Sequence, residues 1–173
     1  SKSASFTVTG TDILSYKYKL DGGVYGGETD IASTISLSDL TEGEHTIFVI
    51  GKDKFNNWQE ETNPTKYTWR IDITPPVVTF VKNGNLTPAK LQETVVNIDE
   101  SVNILHYQWT NSNLFPTAGT WTVFKSGDNI SKDGVTGDYY LHIKAVDIFG
   151  NTKEATSNKF IIDNTKPEAP AIS

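Results

Sequence analysis

The chain has 173 residues, a formal net charge of −6, 36% hydrophobic and 11% aromatic residues, and neither cysteine nor methionine. That length holds one large domain or two small ones. The scattered Lys and Arg form no basic stripe for nucleic acid, no apolar run approaches the ~18 residues of a membrane-spanning helix, and the missing thiols exclude disulfides, thiol catalysis and thiolate metal sites.

In chain order, the first strand signature is Ile13-Leu14-Ser15-Tyr16-Lys17-Tyr18. A longer one follows over residues 43–53, then the turn Phe55-Asn56-Asn57, then Trp69-Arg70-Ile71-Asp72 and the punctuation Thr74-Pro75-Pro76. The same order returns in Ile104-Leu105-His106-Tyr107-Gln108-Trp109, residues 137–147, Phe149-Gly150-Asn151, Phe160-Ile161-Ile162-Asp163 and Thr165-Lys166-Pro167. Each segment alternates with period two, as a half-buried strand does when successive side chains point to opposite faces. Tyr139, Leu141, Ile143 and Ala145 are predicted to face inward, with Tyr140, His142 and Lys144 outward; His45, Ile47, Val49 and Gly51 take the inward places of the first copy. No segment sustains a helical period. Short strands separated by Gly, Asn, Asp and Pro clusters predict an all-β chain of two tandem immunoglobulin-like (Greek-key) β-sandwich domains.

Prolines lack the N–H that a central strand would donate, so Pro75-Pro76 and Pro167 mark ends. The expected domains are 1–73 and 77–164, with 165–173 a linker toward a following repeat. Val77-Val78-Thr79-Phe80-Val81 is an opening strand without a counterpart in the first copy, so that copy is expected to lack its first strand, lost from a longer parent chain.

These residues resemble the bacterial immunoglobulin-like repeats of exported and surface proteins. The resemblance rests on Ser3-Ala4-Ser5-Phe6-Thr7, Leu20-Asp21-Gly22-Gly23, Leu40-Thr41-Glu42-Gly43-Glu44-His45-Thr46 and Tyr67-Thr68-Trp69-Arg70-Ile71-Asp72-Ile73-Thr74-Pro75-Pro76. The family's cysteine pair is replaced by Tyr18 and Glu28-Thr29-Asp30. Asn56 stands at a family glycine and, as asparagine tolerates the left-handed conformation, can preserve the turn. The second copy departs most over residues 111–121. The resemblance implies an extracellular or cell-surface setting and neighbouring Ig-like repeats as partners.

Catalytic patterns are missing: there is no Gly-x-Ser-x-Gly elbow, phosphate-cradling glycine loop, His-Glu-x-x-His or EF-hand loop. His45, His106 and His142 lie on separate strands, His45 as a packing residue and the others on the surface. Asp53 and Asp147 each precede a turn that their carboxylates can fix through backbone N–H groups. The alternative use of these acids is calcium, with Asp53, Asp72, Asp147 and Asp163 as candidate ligands; otherwise no cofactor is expected. Trp58, Phe115 and Trp121 flank loops that the strand pattern does not explain, and exposed rings there could stack on a glycan or anchor a host surface protein. Asn85-Leu86-Thr87 and Asn129-Ile130-Ser131 fit the glycosylation pattern, but no glycan is expected on a bacterial repeat. The expected role is a non-enzymatic spacer or stalk, with an adhesion or glycan-binding module as the alternative, without nucleic acid or membrane insertion.

Overall fold

The computed structural model describes residues 1–170 and contains two compact units, Ser1–Ile73 and Thr74–Ser173. Of the expected linker, residues 165–170 carry no strand or helix, and 171–173 lie outside the described residues. Among the described residues no helix is long and apolar enough to cross a membrane.

In the first unit, β1 (Ala4–Thr7) pairs antiparallel with β4 (Thr34–Leu37). The second sheet runs β3 (Thr29–Asp30), β2 (Ile13–Leu20), β5 (Gly43–Asp53), β6 (Thr65–Ile71), all antiparallel neighbours. Both sheets feed one core in which Tyr16 and Ile47 of the larger sheet meet Ile35 of the smaller, with Phe6 and Trp69 packed against them. Burying each such side chain contributes about 1.5–3 kcal/mol. β2 ends where Asp21 takes φ 51°, and β5 ends in a turn where Asn56 takes φ 69°, the left-handed region predicted for that asparagine.

The second unit places β7 (Val78–Phe80) beside β9 (Gln92–Ile98), and β9 beside β12 (Asn129–Lys132). Its other sheet centres on β13 (Gly137–Asp147), with β10 (Val102–Thr110) and then β11 (Thr122–Val123) on one side. On the other edge, β14 (Thr152–Thr156) and β15 (Phe160–Ile162) pair with successive parts of β13, and β8 (Asn85–Ala89) lies parallel to β15. Leu141, Ile143 and Ala145 are fully buried, as their alternation predicts, and they share a core with Val96, Leu105 and Ile130.

The repeat extends to an irregularity that the pattern alone does not announce. One residue, Leu14, is skipped where β2 pairs β5, and one residue, Asn103, is skipped at the matching place between β10 and β13. Such a bulge bends the strand and increases its twist at the sheet rim.

His142 corrects the sequence expectation. It does point away from the Leu141 and Ile143 side of β13, but it is 0% exposed rather than a surface histidine. Alternation assigns a face, and the loop that covers that face comes from residues far away in sequence.

Candidate functional site

The loop between β10 and β11, residues 111–121, folds back over the outer side of the second unit's larger sheet. Its anchor is His142. The Ser112 carbonyl accepts from Nε2 at 3.0 Å, the Thr110 hydroxyl lies 2.8 Å from the same nitrogen, and the Thr156 hydroxyl lies 2.9 Å from Nδ1. A carbonyl can only accept, so Nε2 carries the proton and Nδ1 accepts from Thr156. Burial lowers the His142 pKa, opposed by the Ser112 carbonyl, and the ring is held neutral. Asn111 Nδ2 adds a bond to the Asp138 carbonyl at 3.1 Å. Gly119 takes φ 116°, a conformation that strains residues with a Cβ, and the Gln108 amide packs against it.

On this loop, Phe115 sits edge-on to His142 at 5.7 Å and against Trp121 at 5.4 Å. Both rings are half-buried, and the neighbouring Leu114 is 75% exposed. The structure thus brings two of the three aromatic candidates together. Beside the loop a cleft of about 430 Å³ is lined by Tyr107, Trp109, Thr120, Thr122, Lys132 and Asp133 among others.

Trp58 belongs to the first unit and lies elsewhere. It bridges to Lys52 in a short antiparallel contact, and the Lys17 and Lys52 ammonium groups stand 4.6 and 5.4 Å from its ring centroids. Lys52 also pairs with Glu28, which accepts a hydrogen bond from Ser15. The ring is therefore half-covered by cations, an attraction of about 0.5–1 kcal/mol each at exposed sites.

Two aspartates among the calcium candidates are engaged in their own turns. Asp53 accepts from the N–H groups of Phe55 and Asn57 and from the Asn57 side-chain amide, at 2.8–2.9 Å. These bonds, the Asn57 amide foremost, hold its pKa below the usual carboxylate range. Asp147 makes the same three bonds with Phe149 and Asn151. Burial pushes the Asp147 pKa up, and the bonds from Asn151, Phe149 and Gly150 more than offset it. Asp163 accepts from Thr165 N–H at 2.8 Å, and the Thr165 side chain and then this N–H lower its pKa. Among the described residues, Asp53 and Asp163 join no group of three potential metal ligands. Asp72 is half-buried just beyond β6.

His45 is a packing residue with an ionic role that sequence reasoning did not connect to Asp21. Its Nδ1 lies 2.9 Å from Asp21 Oδ2 and its Nε2 lies 2.9 Å from the Thr41 carbonyl, with Trp69 at 5.7 Å. Both ring nitrogens face acceptors, so the doubly protonated ring satisfies the site. The Thr41 carbonyl and then Asp21 raise the His45 pKa; the Thr46 N–H and then His45 lower that of Asp21. The Leu20-Asp21-Gly22-Gly23 and Gly43-Glu44-His45 motifs were both visible, but only the β2–β5 pairing puts them side by side.

With these features in place, the model of the bacterial Ig-like domain (group 3) matches residues 30–115, just under half of the chain, from β3 to the loop after β10. The chain resembles a bacterial immunoglobulin-like domain. Among solved structures, the fibronectin(III)-like modules of Clostridium thermocellum CbhA are similar at 9% identity, with a TM-score of 0.45 over 98% of this chain and 92% of theirs. The central fibronectin-III array of RIM-binding protein is similar at 13% identity, with a TM-score of 0.32 over 98% of this chain and 67% of that one. No curated protein matches. The matched region and the duplicated strand order give the chain an Ig-like, repeated all-β character.

Proposed function

We propose that the chain is a pair of non-catalytic Ig-like spacer repeats of an exported or surface protein, bounded at 1–73 and 77–164. The observation that carries this reading is the duplicated design: the same strand order, rim bulge and Asp-fixed turn recur in two units, each with its own core. Such a unit bears load through its own ladder and core, and repetition sets reach. Calcium at Asp53, Asp72, Asp147 or Asp163 would enter as a stiffener of the array; a melting temperature raised by millimolar calcium and restored by chelation would add it.

Single-molecule stretching tests the spacer role. Two separate unfolding events are expected, the first unit's releasing roughly 25 nm of chain at ~3.5 Å per residue. One merged event would overturn the reading of independent units.

An adhesive module is the second reading, favoured by the half-exposed Phe115 and Trp121 pair on a loop pinned by His142 and Gly119. Aromatic rings on a rigid loop suit stacking against a sugar or anchoring a protein surface. A glycan and surface-protein screen, repeated with Trp121→Ala and Trp58→Ala, tests it. Specific binding lost in either variant would replace spacing with recognition.

A further inference from the structure

The second unit supplies a template for a strand that has no counterpart among the described residues of the first unit. There, β7 runs antiparallel to β9, with Val78 opposite Ile98, Thr79 opposite Asn97 and Phe80 opposite Val96, and Val81 N–H donates to the Val95 carbonyl at 2.9 Å. Val78 and Phe80 pack on the core, and Val96 beneath them is 0% exposed. In the first unit β1 plays the part of β9. Phe6 pairs with the buried Ile35 of β4 as Thr94 pairs with the buried Ile130 of β12. Counting on from these pairs, Val8, Thr9 and Gly10 take the places of Val96, Asn97 and Ile98.

Among the described residues no strand lies beside Val8, Thr9 or Gly10. β1 stops at Thr7, Val8 is only half-buried, and Thr9 is exposed. Where side chains matching Val78 and Phe80 would sit, the first unit has an open cavity of about 520 Å³. Its lining includes Phe6, Val8, Ile13, Ile35, Ile47 and Tyr67. An apolar trough and an unpaired backbone edge thus lie along the same three residues.

We propose that this groove is a strand-acceptor site whose occupant is an extended segment of β7 chemistry, uncharged and apolar at alternate positions. The segment adds antiparallel to residues 8–10. Its backbone pairs the free edge, and its alternate side chains fill the trough, the way strand addition divides affinity from specificity. Hydrogen-bonded pairs alternate along an antiparallel ladder, so the bonded pair of Val81 and Val95 makes Thr79 and Asn97 the next one. Thr9 therefore offers the N–H and C=O that the incoming strand uses. A small apolar ligand would fill the trough but leave this edge unpaired.

The test adds a synthetic peptide of residues 74–83, which carries β7, to the full 173-residue chain and follows amide exchange at residues 7–11. Saturable slowing of exchange at Thr9 and a higher melting temperature for the first unit are expected. The same peptide with threonine at the Val78 and Phe80 positions should bind at least tenfold more weakly. Thr9→Pro, which removes the edge N–H at an exposed residue, should do the same to the unaltered peptide. Circular dichroism checks that this variant folds, and the altered peptide tests the trough without touching the protein. No protection at residues 7–11 up to millimolar peptide would overturn the proposal. Binding indifferent to both changes, or self-association of the chain through this groove without peptide affinity, would overturn it equally.

Discussion

Replacing Gln92 with leucine should selectively destabilise the second unit. Gln92 is 1% exposed at the start of β9, and its Nε2 donates to the Thr87 carbonyl at 2.9 Å and to the Ile161 carbonyl at 2.7 Å. Its Oε1 accepts from Asn85 Nδ2 at 3.0 Å. The two carbonyls lie where the parallel β8–β15 pairing changes register, between Phe160 opposite Asn85 and Ile162 opposite Ala89, so the ladder itself leaves them open. Leucine has nearly the same size and no polar atom. Thr87 is exposed and can turn to water, whereas Ile161 and Asn85 are half-buried and lose more. An unsatisfied buried group costs about 1–3 kcal/mol, which suggests a total of about 2–3 kcal/mol here. For a unit of this size, each kcal/mol moves the melting temperature by about 4–8 °C. Scanning calorimetry of the full chain should therefore show one transition falling by roughly 10–20 °C and the other unmoved. A loss under about 0.5 kcal/mol, or a shift of both transitions together, would refute the argument.

The two units should respond to pH in opposite directions. The raised His45 pKa contributes stability that is full below the ordinary histidine value of 6.5 and is lost as pH rises through the folded-state value. The lowered Asp21 pKa contributes stability above 3.8 that is lost as pH falls further. The first unit should thus melt higher at pH 5.5 than at pH 8, and His45→Gln should flatten this slope. For His142 the lowered pKa reverses the sign: the unfolded chain takes up the proton first, so the second unit loses stability as pH falls through about 6.5. Calorimetry from pH 5 to 8 reads both slopes. Phe115→Ala should open His142 to water and move its pKa back up, seen by NMR titration of the ring. At Asn56, held at φ 69°, valine should cost about 1–2 kcal/mol more than glycine, because a β-branched side chain resists the left-handed region; chemical denaturation measures the difference.

Gln92 and His142 mark the limit of what a strand pattern conveys. Neither residue type signals burial, and the partners of each come from segments up to 69 residues away. The Phe115 and Trp121 loop was legible as an anomaly, since it broke the repeat, but its resting place on the outer face of β13 was not. The first copy's lack of a counterpart to residues 77–81 was legible in the sequence; the cavity lined by Phe6, Val8 and Ile35 was not.

The sequence by itself determined the all-β character, the repeat, the inward residues Leu141, Ile143 and Ala145, and the Asp53 and Asp147 turns. These follow from period-two alternation and from contacts within a few residues along the chain. Tertiary structure alone decided which polar side chains are enclosed, which acids meet which histidines, and where an edge stays open. Those outcomes depend on what packs across a sheet or over it, and local sequence carries no record of its distant neighbours.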